Sequence, residues 1–328
     1  MFDLARESPW FSRATLFLIA AALLTALGLG GTVAGDLFSP LLGAVDPEAE
    51  TGFGRHLLVG LMLAGALVAN LEFLRLLPFR YQVLLVWGEL LLLFYGFVLS
   101  FDRDFGVIFA VGRSGVSNLY FLITTGAFTT LYVSLIAIAI ACVLALAGAL
   151  GKLSRNGAFY AVATFYISFF RGTPLLLQVV LIYTGFAQLG FVMEAVPAGI
   201  TALSLCYGAY MAEIFRAGIE GVPTGQREAA KALALPSNLI FRKIVFPQAM
   251  RLIVPPTGNQ FIAMLKDSSL VSVVGVWELT KTAQVLGKRD FQVFEFLIAA
   301  AVIYWVMSVV FEIVQARIEA YYGKGHTR

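Results

Sequence analysis

The chain has 328 residues, of which 59% are hydrophobic and only 13% are charged. The charged share is about half of that in soluble domains, and a soluble enzyme could not bury so many apolar side chains in one core. The same apolar content excludes disorder. The net charge of +3 is too small to indicate a nucleic-acid-binding surface. The composition therefore indicates a polytopic membrane protein.

Apolar runs recur along the whole chain, and a membrane-spanning helix needs about 20 apolar residues. The predicted spans, about eight in number, are 14–35, 57–74, 81–101, 119–150, 172–192, 196–219, 248–265 and 291–316. The runs are continuously apolar and do not alternate, which disfavours a membrane β-barrel. The predicted fold class is an all-α integral membrane protein.

Lysine and arginine residues are concentrated in the segments on one side of these spans, which predicts that this side is cytoplasmic. An even number of spans then places both termini in the cytoplasm. Arg6 and Arg13 precede the first span as in a signal peptide, but its apolar stretch is longer than an ordinary signal sequence. We therefore expect an uncleaved anchor.

The unusual polar residues are distributed unevenly. Residues 1–117 contain three predicted spans and little polar content, whereas 118–328 contain five spans and nearly all of the polar residues within spans. These two parts are the predicted domains. The cysteines, Cys142 and Cys206, lie in apolar runs and are expected to be core residues without a disulfide. Neither histidine has ligand-like neighbours, so no metal site is expected.

The longest polar connection in the second part runs from 220 to 251 and is expected to be cytoplasmic. It is predicted to form two short helices, with Thr224 and Ser237 as N-caps and Pro236 ending the first helix. Alanines make one side of the first helix thin, which suits close contact with a partner surface. A solvated connection between two spans is the alternative.

The stretch EAAKALALPSNLIFRKIVFP resembles the EAA loop of the permeases of ABC importers. That pattern is Glu-Ala-Ala, three residues, Gly, nine residues, Ile, one residue and Leu-Pro. Ala234 stands where the pattern has glycine, and Phe246 where it has leucine. Because alanine disfavours positive φ, the substitution at Ala234 bears on the bend at that point.

Further strings resemble the polar amino-acid branch of that family, which includes histidine, glutamine and glutamate/aspartate importers. They are FFRGTPLLLQ at 169–178, GAYMAEIFRAGIEGVPTGQREAA at 208–230, PQAMRLIVPPTGNQ at 247–260 and LKDSSLVSVVGVWEL at 265–279. The resemblance covers about residues 118–322 and implies a five-helix type I importer core, preceded here by three extra N-terminal helices. Residues 1–115 are outside it.

The resemblance also implies partners: two ATPase subunits, a second permease subunit that is a homologue or a copy of this chain, an extracytoplasmic amino-acid-binding protein, and the lipid of a bacterial cytoplasmic (inner) membrane. No nucleic acid is expected. ATP and Mg would bind the ATPase subunits, and no cofactor is expected to bind this chain. The chain has no G-x-x-x-x-G-K-[ST] string, and no catalytic residue is expected. The ATPase-coupling residues, in the predicted loop 220–247, would be Gly225, Glu228, Ala229, Ala230, Ala234, Ile244 and Pro247.

Ionisable groups within membrane spans are costly and indicate function or a paired structural role. Lys266 and Asp267 could bind the carboxylate and ammonium of an amino acid, or pair with each other or with a helix end. Glu213 and Arg216 lie three residues apart, so we expect an ion pair or a polar lining. The full set of candidate path or gate residues is Arg171, Thr173, Pro174, Gln178, Glu213, Arg216, Asn259, Lys266, Asp267 and Ser268.

The run 157–190 is too long for one simple crossing, so we expect a break at 171–174, which is either a plain kink or exposed backbone at the path. In the N-terminal part, Glu72 is expected to pair with Arg75, and Glu89 has no evident partner. An alternative function is an ion-coupled secondary transporter using Glu89, Glu213 and Asp267. A membrane-embedded enzyme and a signalling scaffold are further alternatives. The EAA pattern argues against the secondary transporter.

Overall fold

The computed structural model describes residues 9–27, 53–99, 104–112 and 115–323. These segments contain helices and connections and no strand beyond a single bridge between Val111 and Ser117. The chain forms two compact units, Met1–Arg103 and Asp104–Arg328. This division lies ahead of the predicted domain boundary at 117. Residues 104–112 belong with the second unit because the Asn118 side chain donates to Val107 O at 2.9 Å.

In the first unit the helices are α1 (Pro9–Ala26), α2 (Phe53–Arg75) and α3 (Phe79–Leu99). The predicted Glu72–Arg75 pair is confirmed at 2.7 Å, and Arg13 joins it from α1 at 2.9 Å from Glu72. Glu89, which had no evident partner, accepts a hydrogen bond of 2.8 Å from Asn70. Glu72 and Glu89 therefore each have a polar partner, which lowers their cost in a bilayer.

The second unit begins with α4 (Asn118–Lys152), which includes a π-helical stretch at Leu122–Ala127. It continues with α5 (Gly157–Gly172), α6 (Leu175–Gln188), α7 (Ala195–Glu220) and α8 (Thr224–Ala232). A short helix (Ser237–Ile240) and a π turn (Phe241–Val245) lead into α9 (Phe246–Asp267). A 3-10 segment (Ser268–Val274), α10 (Leu279–Asp290) and α11 (Val293–Gly323) complete the unit.

The centre of the second unit is the contact between α4 and α7, where small residues let two helices approach closely. On α4 the fully buried positions recur every four residues, namely Ala137, Ala141, Ala145 and Ala149. Opposite them Gly208 of α7 is so close that a Cβ there would lie 2.9 Å from Leu144 Cβ. The hydroxyl of Ser204 of α7 donates to Ile200 O at 2.6 Å and lies 3.3 Å from Ala137 O of α4. Volume, more than hydrophobicity, decides what these positions accept.

Within the described residues, five helices are long and apolar enough to cross a membrane, and a sixth crossing results if the bent pair α5–α6 counts as one span. The prediction of about eight is therefore not confirmed. The predicted span 248–265 is helical as α9, but it is too polar for this count because it contains Gln248, Arg251, Asn259, Gln260 and two prolines. Only the short apolar helix Thr15–Ala26 of the first predicted span is described, and residues 28–35 and 100–101 of the predicted spans lie outside the described residues.

Candidate coupling loop and polar pathway

The helix α8 connects two long helices, α7 and α9, and has two different faces. Glu228 and Ala229 are exposed, and a Cβ at Gly225 would meet nothing within 4 Å. Ala230 is only 2% exposed and packs into the core of the unit. Leu233, just after the helix, is 74% exposed. Of the other predicted coupling residues, Ile244 is half-buried and Pro247 exposed.

The predicted N-caps of this loop are wrong by one position. Thr224 and Ser237 are the first helical residues, and Pro223 and Pro236 occupy the N-cap positions without a side-chain hydrogen bond. An N-cap residue needs no free N–H and takes a non-helical conformation, so proline fits there. The two helices are therefore started by backbone restriction at proline.

Ala234 adopts the left-handed backbone conformation that glycine normally supplies, with φ of 53°. Its N–H donates to Lys231 O at 2.9 Å, and Leu235 N–H donates to Ala230 O at 3.2 Å. This pair of hydrogen bonds is a Schellman motif, which ends a helix with a residue at positive φ. The bend expected from the glycine of the EAA pattern is therefore present in spite of the alanine.

Replacing Ala234 by glycine is expected to stabilise the protein, because alanine at positive φ costs about 1–2 kcal/mol relative to an unstrained residue. Thermal unfolding of the purified chain in detergent should show a higher Tm. Ala232→Gly is the matched control: at the end of α8 in helical conformation, it should lower stability by up to about 1 kcal/mol. Equal losses in the two variants would contradict the strain at Ala234.

The predicted break is present between α5 and α6, whose axes differ by 109°. Thr173 and Pro174 form the corner, and Thr173 Oγ1 donates back to Phe169 O at 2.9 Å. Gln178, 4% exposed, crosses the corner: its Nε2 donates to Phe170 O at 2.9 Å, Thr173 O at 3.0 Å and Thr173 Oγ1 at 2.8 Å. Gln178 therefore satisfies backbone carbonyls that the break leaves free.

A charge cluster lies beside this corner. Glu213 Oε2 is 2.8 Å from Arg216 Nε, which confirms the predicted contact. The other carboxylate oxygen, Glu213 Oε1, forms an ion pair with Lys152 Nζ and lies 3.9 Å from Arg171 Nη1. The guanidinium of Arg171 lies 5.4 Å from the ring centre of Tyr210. Lys152, Arg171, Glu213 and Tyr210 line a pocket of about 440 Å³. The lining holds two cations, Lys152 and Arg171, and one carboxylate, Glu213, so this pocket has one excess positive charge. Arg216 lies outside the lining and also pairs with Glu220 at 2.6 Å.

The candidate residues at the end of α9 lie apart from that cluster. Asp267 accepts a hydrogen bond of 2.7 Å from Tyr207 Oη of α7. Ser268 is fully buried, and its hydroxyl donates a hydrogen bond of 2.7 Å to Leu265 O. Lys266 is exposed and makes no ion pair with Asp267. Asn259 is exposed on the same helix. Among the described residues the hydrogen-bond partner of Asp267 is therefore Tyr207.

The sequence analysis missed a buried carboxylate at the start of α10. Glu278 is 0% exposed and accepts hydrogen bonds from Tyr304 Oη at 2.6 Å, Thr280 N at 2.8 Å and Lys281 N at 2.6 Å. Burial raises the pKa of the Glu278 carboxyl, although these hydrogen bonds favour the charged form. Glu278 joins α10 to α11, and an acidic N-cap residue was the local signal that could have identified it.

Comparison with known proteins relates the second unit to one family. A family model described as "Binding-protein-dependent transport system inner membrane component" matches residues 138–322, more than half of the chain. An arginine transport system permease protein of Bacillus subtilis is 36% identical over 198 residues, which are 60% of this chain and 90% of that protein. An L-cystine transport system permease protein of the same organism is 34% identical over 208 residues, 62% of this chain and 89% of that one.

A solved structure of an amino acid ABC transporter with histidines superposes with a TM-score of 0.59 at 38% identity, covering 62% of this chain and 95% of that chain. The MetNI methionine ABC transporter in inward-facing conformations shares the fold. It superposes with a TM-score of 0.55 at 19% identity, covering 62% of this chain and 96% of that chain. The expected type I permease fold is thereby confirmed for the second unit. The chain belongs to the family of inner membrane components of binding-protein-dependent transport systems, the permeases of ABC transporters.

Proposed function

We propose that this chain is the permease subunit of an ATP-driven importer that takes up a polar amino acid delivered by an extracytoplasmic binding protein. The observation that carries the proposal is α8, which presents Glu228 and Ala229 to solvent between two helices of the permease unit. Amino-acid transport by relatives that this chain covers over about nine-tenths of their length supports the substrate class.

In this proposal two ATPase subunits dock on the coupling loop, and a second permease subunit completes the path. The coupling residues are Gly225, Glu228, Ala229, Ala230, Ala234, Ile244 and Pro247. The protein is a multi-pass component of the bacterial cytoplasmic membrane with both termini inside. The accumulation of Arg227, Lys231, Arg242 and Lys243 in the coupling segment agrees with a cytoplasmic position for it. Hydrolysis occurs on the ATPase subunits, and this chain converts their movement into a change of access.

The path has two polar regions along α7. One holds Asp267 with Tyr207, beside the exposed Lys266, and offers a carboxylate and an ammonium for the zwitterion of an amino acid. The other is the Arg171–Glu213 pocket, whose excess positive charge would interact with the substrate carboxylate. In the secondary-transporter alternative Glu213 must take up and release an ion, but Lys152 and Arg216 already neutralise it.

The direct test is affinity purification of the tagged chain from its own host in mild detergent. An ATPase and a second permease should co-purify, or an ATPase alone if the permease is a homodimer. The complex in proteoliposomes should take up amino acid only with ATP inside and binding protein outside. A chain that purifies alone and transports without ATP would establish the ion-coupled alternative instead.

Asp267→Asn and Lys266→Ala are expected to reduce uptake at least about tenfold, a loss of about 1.4 kcal/mol, because each removes one charge opposite the substrate. Substrate-concentration curves of reconstituted uptake measure the effect, and ATPase co-purification should be unchanged. Arg251→Ala, which removes an exposed charge on the same helix outside the candidate path, serves as comparison. Wild-type uptake curves for both charge variants would remove Lys266 and Asp267 from the path.

A further inference from the structure

A second pocket lies on the permease-facing side of α8. It has a volume of about 360 Å³ and is bounded by the end of α4, the end of α7 and the segment 227–245. None of its lining residues belongs to the charge cluster at Glu213 or to the end of α9. The path residues therefore do not account for it.

The polar part of this pocket is cationic. Arg227 and Lys231 are four residues apart, so they lie on the same face of α8, and the Ser237 hydroxyl also lines the pocket. Arg227 Nη2 donates to Ile219 O, whereas its Nε is buried without an acceptor among the described residues. The described lining includes no carboxylate that could neutralise the two cations. Such a site favours an anion with several acceptor oxygens.

The remaining lining is apolar and comes from the ends of membrane-spanning helices. Leu150 and Leu153 lie at the end of α4, and Phe241 lies in the π turn before α9. Because α4 and α7 both end here, the pocket lies at the depth of the lipid headgroups on the side of the coupling loop. Cations next to apolar side chains at this depth match a phosphate group attached to acyl chains.

We propose that this pocket binds the phosphate of an anionic phospholipid between Arg227, Lys231 and Ser237. Glu228 and Ala229 are exposed on α8 outside the pocket lining, so lipid and ATPase can occupy the helix together. A bound headgroup supports α8 from the membrane side, and its negative charge offsets one of the two positive charges. This binding requires only the chain itself, and its influence on coupling rests on the proposed function.

The test is lipid binding to the full-length chain, purified in mild detergent and measured by native mass spectrometry. Phosphatidylglycerol is expected to bind at least tenfold more tightly than phosphatidylcholine. In Lys231→Gln, which keeps the Arg227–Ile219 hydrogen bond, the preference should fall severalfold, and in Arg227→Gln/Lys231→Gln it should disappear. Lys243→Gln, which removes an exposed cation of the same segment outside the pocket, should keep the wild-type preference.

Inorganic phosphate distinguishes the sources of the anion. If millimolar phosphate displaces phosphatidylglycerol from the wild type, the anion site is supported with free phosphate as its ligand. If phosphate does not displace it, the lipid headgroup is supported as the ligand. A preference for phosphatidylglycerol that is missing in the wild type, unchanged in the double variant, or lost equally in Lys243→Gln would overturn the proposal. No ATPase is present in this measurement, so its result is independent of the importer function.

Discussion

Glu228→Ala is expected to abolish ATP-dependent uptake while the permease remains folded. Glu228 is exposed on α8 and makes no hydrogen bond with any described residue, so its removal costs the isolated chain little. At a docked interface, in contrast, removing one partner of a buried charged hydrogen bond costs about 2–5 kcal/mol. ATPase affinity should therefore fall at least about thirtyfold. Co-purification of the ATPase and uptake in proteoliposomes measure the two consequences.

The matched control is Asn238→Ala, an exposed polar side chain in the same loop at a position for which the EAA pattern specifies no residue. It should co-purify the ATPase and transport as the wild type does. The Tm of both purified variants should equal that of the wild type, which separates docking from folding. Normal uptake by Glu228→Ala would mean that this helix does not transmit the work of ATP hydrolysis.

Gly208→Leu is expected to have the largest effect on folding. A Cβ at Gly208 would lie 2.6 Å from Tyr166 Oη, 2.9 Å from Leu144 Cβ and 3.4 Å from Ala141 O. The tyrosine cannot move away freely, because its hydroxyl donates to Leu205 O at 2.8 Å. Extra methylenes in a well-packed core cost about 1–3 kcal/mol, and here the close contact also separates α4 from α7.

The measurement is the yield of monodisperse protein in detergent together with its Tm, both of which should fall strongly. Gly185→Leu is the control, since it makes the same change in helix α6 where a Cβ meets nothing within 4 Å. It should fold normally. Equal tolerance of leucine at the two positions would show that the close approach of α4 and α7 is not required.

The sequence determined features whose cause is local. The break at Thr173–Pro174 was predictable because a proline ends or starts a helix wherever it occurs. The amphipathic loop with α8 and the contact of Glu213 with Arg216 followed from spacing along one helix. Most spans were found because a bilayer demands a continuous apolar length. The predicted number of spans was not confirmed, since α9 contains charged residues and two prolines and is not counted among the apolar helices.

The tertiary structure alone decided which distant residues meet. Lys152 joins Glu213 across 61 positions, and Tyr207 reaches Asp267 across 60. No periodicity within one helix specifies such a pair, because it depends on the rotation and depth of two helices that pack through small residues. The left-handed Ala234 is a related case, since alanine disfavours the positive φ that the Schellman motif at the end of α8 contains. Local chemistry fixed the elements of this permease, and close packing between them fixed the partners of its polar side chains.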